Sequence, residues 1–311
     1  MNQYINKFSN FIGKDDVKEN LKIFINSSIK EKRQLEHCLI FGLPGMGKTT
    51  LAKIIANELN TNIKIAQGSL IERPINVINL LLSLSKGDII FIDEIHQIKP
   101  VCFELFYSAM EEGYIDINVG KDFNTKIIRL KLPDFTLIGA TTILGKIPQP
   151  LEDRFGIKIN LGNYSQSEME NIAYFYKNKL KLNLTKSELS RVIESSKGTP
   201  RIVYMLLRRI KDFKLHMDNA NIDEILKRLG YIYKSYSLLD YKYLTNLIKT
   251  KGFVGIKTLT QSLNLDERTI ITKIEPHLLI NGIIEKTING RKITTNGKNI
   301  YKILSKIINS K

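Results

Sequence analysis

The period of the apolar positions changes several times along this chain, and each change marks an element. Leu21, Phe24, Ile25 and Ile29 recur at helical spacing. Cys38-Leu39-Ile40-Phe41 is a continuous apolar run, the pattern of a strand buried on both faces. A Gly-rich turn follows, and Leu51, Ile54, Ile55 and Leu59 resume the helical period. Asn60 to Ser69 is short and polar around Ile63 and Ile65, and Ile75–Leu84 predicts a helix through Val77, Ile78, Leu81 and Leu82. Ile89-Ile90-Phe91-Ile92 predicts a second buried strand, Pro100–Glu112 a helix, and Thr136–Ala140 a third strand. Between the last two, Ile115, Ile117 and Val119 alternate with polar residues. A turn at Gly120-Lys121-Asp122-Phe123-Asn124 leads to Ile127, Ile128, Leu130 and Leu132, which predicts an inserted β-hairpin over 114–132.

Beyond residue 162 the pattern is helical, over 165–180, 185–196 and 200–215. Helical stretches 239–249, 255–263 and 267–279 then precede two short β runs around Asn289-Gly290, a hairpin signal. Three helices and a hairpin with a basic turn predict a winged helix. The expected organisation is an α/β domain with a parallel sheet over 1–161, an all-α lid over 162–233 and the winged helix over 234–311.

Composition is that of a globular chain, 43% hydrophobic and 25% charged. No run of eighteen apolar residues suggests a membrane span, and no secretory signal is visible, so a cytoplasmic protein is expected. Cys38 and Cys102 lie in apolar surroundings without metal-ligand spacing, as reduced thiols do. Net charge is +16, which favours a polyanionic partner, nucleic acid first. Lys, Asn and Ile are abundant throughout, so the distribution is more telling than the total. From Tyr233 onward 14 Lys and Arg stand against 5 Asp and Glu, placing +9 of the charge in the last quarter of the chain. A winged helix can also serve protein contacts, and this excess favours DNA.

The chemistry begins with GLPGMGKTT, in which Gly42, Gly47, Lys48 and Thr49 fit the phosphate-loop pattern. Glycines let successive N–H groups turn around a phosphate chain, and a helix then opens with its positive end toward the same anion. Lys48 would reach the β- and γ-phosphates, and the Thr49 hydroxyl would help to hold Mg²⁺. Asp93 and Glu94 end the second buried strand, the end at which ligands sit in an open parallel sheet. Adjacent carboxylates also terminate solvated strands. Lying about forty-five residues after the phosphate loop, they read as a metal-side acid, Asp93, and a water-polarising base, Glu94. His96 reads as a structural neighbour. Thr141-Thr142 would sit beside these carboxylates, able to bond the γ-phosphate or its attacking water. Arg154, between an acidic pair and Phe-Gly, is a candidate cation offered to a neighbouring subunit. Arg201 follows Thr199-Pro200 on the first turn of a helix and could lean over the nucleotide.

GLPGMGKTT, IIFIDEIH, LIGATT, LEDRFGI and GTPRI occur in the order and at the spacings of the RuvB family, bacterial branch-migration ATPases of the AAA+ class. The similarity runs from about residue 11 to 295. The resemblance implies a homo-hexameric ring that uses ATP and Mg²⁺ to pull double-stranded DNA through Holliday junctions held by a RuvA tetramer, in concert with the RuvC resolvase. Position by position, it implies phosphate binding by Gly45, Gly47, Lys48, Thr49 and Thr50, with Thr49 and Asp93 on the metal. Glu94, Thr142 as sensor and Arg154 acting in trans would complete the catalytic set. Glu111, Glu112, Gly113, Tyr164 and Arg201 join the implied nucleotide contacts. Ile117 and Val119 match a RuvA-docking hairpin, and Arg268, Lys286 and Arg291 the DNA contacts. Some positions depart from the family: no Arg precedes Arg33 where an Arg-Pro near the adenine is usual, Ile143 replaces an Arg, and Lys286 and Asn296 stand where Arg is common.

Three other readings fit parts of the pattern, one of them a diverged scaffold that has lost junction activity. A clamp-loader-like or initiator-like ATPase would share the motor, and a nucleotide switch with negligible turnover would share the phosphate loop. Asp93-Glu94 together with Arg154 favours hydrolysis.

Overall fold

The computed structural model describes residues 5–119, 126–217, 221–250 and 252–309. They form two compact units, one running to Asn171 and taking in Thr199–Arg201, the other comprising Ile172–Gly198 and the chain from Ile202.

The first unit is built on a parallel sheet. In chain order its elements are α1 (Asp15–Lys30), β1 (Cys38–Phe41), α2 (Lys48–Glu58), β2 (Ile63–Gln67), α3 (Pro74–Leu82), β3 (Ile89–Asp93) and α4 (Phe103–Glu111). Then come β4 (Tyr114–Val119), β5 (Lys126–Lys131), β6 (Thr136–Thr141), α5 (Gln149–Glu152) and β7 (Ile157–Asn160). The sheet order is β2-β3-β6-β1-β7, every neighbour parallel. The three central strands are the three continuous apolar runs, because helices cover both of their faces. Cys38 and Ile40 pack with Leu51, Ile54 and Ile55 of α2 on one side. Leu39, Ile90 and Ile92 pack with Val77, Leu81 and Phe106 on the other. Burying each such aliphatic side chain contributes about 1.5–3 kcal/mol, so these two layers hold the strand ends in place.

The edge strands β2 and β7 are additions to the sequence reading. In β7 buried isoleucines alternate with exposed Lys158 and Asn160, as suits a strand covered on one face only, whereas β2 carries Lys64 between two isoleucines of which Ile65 is half-exposed. The hairpin β4–β5 pairs Tyr114 with Lys131 through Val119 with Lys126. Its expected turn, Gly120 to Asn124, lies outside the described residues.

The second unit continues α6 (Gln166–Lys179) and adds α7 (Lys186–Ser195), α8 (Pro200–His216) and α9 (Ile222–Arg228). Thr185 and Glu188 form a reciprocal capping box that starts α7, typically worth about 1 kcal/mol. A small ribbon, β8 (Tyr231–Tyr233) with β9 (Tyr236–Ser237), leads to α10 (Leu238–Lys249) and α11 (Ile256–Leu263). Next is a helix in three parts, α12 (Glu267–Thr269), a π turn over Ile270–Ile274 and α13 (Glu275–Ile280). The wing, β10 (Ile284–Thr287) and β11 (Gly290–Ile293), is antiparallel, and α14 (Thr295–Asn309) follows. Tyr243, Leu244, Leu259, Ile270, Leu278 and Leu304 form its core. Sequence periodicity passed over α9, the ribbon and α14. The last follows directly on β11, where the Thr294 hydroxyl accepts from the Gly297 N–H and turns the chain into a helix. Among the described residues, no helix is long and apolar enough to cross a membrane.

Candidate active site

Strand β1 lies between β6 and β7, so the loop leaving it at Gly42 emerges inside the sheet rather than at an edge. Gly45 and Gly47 take φ of 81° and 106°, values a side chain resists. A Cβ on Gly47 would also come within 3.0 Å of the Phe11 ring. Helix α2 starts at Lys48, directing unpaired N–H groups and its positive end to the loop. Lys48 is buried, and its ammonium donates to the carbonyls of Gly42 (2.8 Å) and Leu43 (3.2 Å). Burial holds the ammonium below its usual pKa; Glu94 and Asp93 oppose that shift, and Arg201 adds to it. Those carbonyl bonds are ones that a phosphate oxygen can replace with a stronger, charge-assisted contact. Thr50 is buried behind the loop.

Strands β3 and β6 are neighbours in register, so both end beside this loop. The Thr49 hydroxyl lies 3.5 Å from Asp93 Oδ2, and the Glu94 N–H donates to Asp93 Oδ1 at 3.1 Å. Thr142 donates its N–H (3.1 Å) and its hydroxyl (2.9 Å) to Glu94 Oε2. Glu94 adopts φ 50° and ψ 51°, a left-handed conformation that costs about 1–3 kcal/mol in a residue with a side chain. Gly68, after β2, makes room for it: a Cβ there would stand 2.3 Å from the Glu94 carbonyl oxygen. Gly68 and Phe11 belong to this site and were not singled out from sequence; a lone glycine and an apolar pair before Gly13 are weak signals.

The remaining expected residues divide into two groups. Tyr164 donates its hydroxyl to the Met46 carbonyl at 2.9 Å, with the Lys14 ammonium 4.5 Å from its ring centre. Arg201 is beside the loop as well, its Cβ 3.1 Å from where a Cβ on Gly45 would lie. Arg154 instead turns to its own surroundings. Its guanidinium donates to the Glu111 carboxylate and to the Pro150 carbonyl (2.6 Å), and lies 4.8 Å from the Tyr107 ring centre. Its Nε is buried without a hydrogen-bond partner. Glu112 is exposed, and Gly113 turns the chain out of α4 with φ 70°. Ile117 is half-buried against the core under the hairpin, whereas Ile127, opposite Asn118, is 72% exposed. Of Val119 the backbone pairing with Lys126 is described.

In the winged helix, Arg268 is exposed on α12 and the Lys286 side chain is 43% exposed. Arg291 is placed differently from the DNA-facing position that the resemblance implies. It is 7% exposed, and its Nε and Nη2 donate to the Glu275 carboxylate at 2.7 and 3.3 Å. Glu275 is 1% exposed and also accepts from the Tyr243 hydroxyl at 3.3 Å. Burial works against the Arg291 charge, but the Glu275 bonds outweigh it and raise the pKa. The backbone of Arg291 exchanges hydrogen bonds with Val254, anchoring the wing's second strand. The Lys286 ammonium also lies 3.7 Å from Glu275 Oε2, so both wing cations share one buried carboxylate; Lys286 is the one whose side chain stays substantially exposed.

Models of three domains match the chain: the Holliday junction DNA helicase RuvB P-loop domain over residues 5–161, the RuvB AAA lid domain over 164–229 and the RuvB C-terminal winged helix domain over 236–302. The Holliday junction branch migration complex subunit RuvB of Ureaplasma urealyticum is 44% identical over 295 residues, covering 94% of each chain. The subunit of the same name from Mycoplasma genitalium is 42% identical over 293 residues, 94% of this chain and 95% of that one. Among solved structures, the Thermotoga maritima RuvB Holliday junction branch migration motor superposes with a TM-score of 0.82 at 32% identity, over 97% of this chain and 99% of that chain.

Proposed function

We infer how this chain works from one premise: it belongs to the RuvB family and is an ATP-dependent motor of Holliday junction branch migration. The observation that carries the mechanism is the meeting of Thr49, in the first turn of α2, with Asp93, Glu94 and Thr142 at two adjacent strand ends beside the buried Lys48. Lys48 leaves the loop carbonyls to bind the β- and γ-phosphates. Gly42, Gly45 and Gly47 let the loop N–H groups close on the phosphate chain, with Thr50 supporting them. Tyr164 and Arg201 flank the nucleotide. Glu94, steered by Thr142, orients and polarises the attacking water.

A magnesium ion suits the donor set. One hydroxyl and one carboxylate lie 3.5 Å apart, and Mg²⁺ in such sites takes one or two protein oxygens besides phosphates and water. Thr49 and Asp93 would hold it, and it would neutralise charge developing on the phosphates.

The chain divides in this reading at 161/162 and 233/234 into motor, lid and winged helix. It assembles as a homo-hexamer in the cytoplasm, with Arg154 and the Glu111–Gly113 turn of one subunit facing the nucleotide of the next. The hairpin docks a RuvA tetramer through Ile117 and Val119, with the exposed Ile127 adding apolar surface. RuvC acts on the same junction. The test is a synthetic four-way junction combined with this protein and RuvA: migration is expected with ATP and none with a non-hydrolysable analogue. Migration with the analogue, or none with ATP, would defeat the reading.

The wing carries its own prediction. Lys286→Ala should lower DNA affinity and flatten the log–log salt slope by about 1, the signature of one lost phosphate contact. Arg291→Ala should leave that slope unchanged while destabilising the module by up to about 3–5 kcal/mol, because the buried Glu275 loses its two guanidinium bonds and keeps only the Tyr243 hydroxyl and the Lys286 ammonium 3.7 Å away. Thermal melts alongside salt titrations separate the two. A flattened slope with an unchanged melt for Arg291→Ala would return that side chain to the DNA.

A further inference from the structure

His96 is the one ionisable side chain in the Asp-Glu turn to which the mechanism above gives no task. It lies on the turn after β3 with its ring 7% exposed. Nδ1 is 2.9 Å from Thr141 Oγ1 and 3.3 Å from Glu94 Oε2. Burial lowers the ring's pKa; the Glu94 charge opposes this, and Lys146 and Lys48 add to it, so the ring is neutral at pH 7 and carries one N–H. With a carboxylate oxygen so near, the tautomer protonated on Nδ1 avoids setting a lone pair against a negative charge. That N–H donates to Thr141 Oγ1, and the Glu94 carboxylate lies beside it in a close charge contact. Thr141 also accepts from the Ile143 N–H at 3.0 Å, and the next residue, Thr142, holds the same Glu94 oxygen. The end of β6 and the carboxylate after β3 are thus joined through the imidazole as well as directly.

We propose that His96 is a positioning residue for Glu94, its Nδ1 anchored on Thr141 at the end of β6 and set against the carboxylate so that the base keeps one orientation toward the attacking water. The inference rests on the reading of Glu94 as the water-polarising group. A ring kept only to fill space would serve equally well without its nitrogen, and this separates the two roles.

The test uses the full chain with saturating ATP and compares turnover with nucleotide affinity. His96→Phe keeps an aromatic ring and removes Nδ1; kcat should fall roughly 10- to 100-fold, as for a misplaced reacting group, with the Kd for a fluorescent ADP analogue within about twofold of wild type. His96→Asn places an amide nitrogen close to where Nδ1 lies, and should recover most of the lost turnover. In a Glu94→Gln background, adding His96→Phe should cost nothing further. Wild-type turnover in His96→Phe, equal losses in Phe and Asn, or a further tenfold drop in the double variant would each overturn the proposal. Should His96→Phe fail to fold, the Asn variant decides alone: near-normal kcat supports the role and a tenfold loss removes it. Normal hydrolysis by Glu94→Gln would instead overturn the underlying reading of the site.

Discussion

Replacing Arg154 with Ala should reduce ATP turnover by about 10³- to 10⁵-fold, the range for a guanidinium that stabilises a transferring phosphoryl group. Nucleotide affinity of the single subunit should barely change, since Arg154 contacts Glu111, Pro150 and Tyr107 rather than the phosphate loop of its own chain. The loss would therefore appear in kcat at saturating ATP. Mixing decides whether the group acts across subunits. Arg154→Ala keeps a sound phosphate loop, and Lys48→Ala keeps a sound guanidinium. Mixed rings of the two should regain activity at interfaces that pair one intact half with the other. No recovery in rings shown to contain both chains would end the trans assignment.

Glu94→Gln should lower hydrolysis by about 10²- to 10⁴-fold, the usual contribution of a positioned general base, while ATP still binds. The amide can still accept from Thr142 through its oxygen, so the local fold is expected to survive. Bound ATP should then persist, and rapid filtration or quench measurements should recover it unhydrolysed. Wild-type turnover would mean that another group prepares the water. Loss of nucleotide binding would mean that Glu94 supports the loop rather than the chemistry.

Much of this was legible in the sequence where burial on both sides forces a continuous apolar run. Strands β1, β3 and β6 are such runs, and their ends carry Gly42, Asp93-Glu94 and Thr141-Thr142, so motif order led directly to the place where these residues meet. Strands β2 and β7 were harder because an edge position covers one face only, leaving lysines within them. Helix α14 was missed because its first turn, Thr-Asn-Gly-Lys, has no apolar residue to announce it. Pairings across elements were the least readable. His96 meets Thr141 forty-five positions away, and Arg291 meets Glu275 sixteen positions earlier. Nothing in local spacing signals either contact, and each changes what its residue can do. A guanidinium on a basic hairpin looks available until the carboxylate beneath it is located.

The parked state of Arg154 has a further consequence. A solitary subunit keeps its own acid and arginine closed on each other, a small intramolecular handshake that an incoming phosphate must break. In the proposed trans arrangement Glu111 is released when the arginine swings away, leaving its largely exposed carboxylate to water on the donor subunit. On the proposed trans assignment, turnover per chain should climb with protein concentration as rings form, and a dilution series reads this directly.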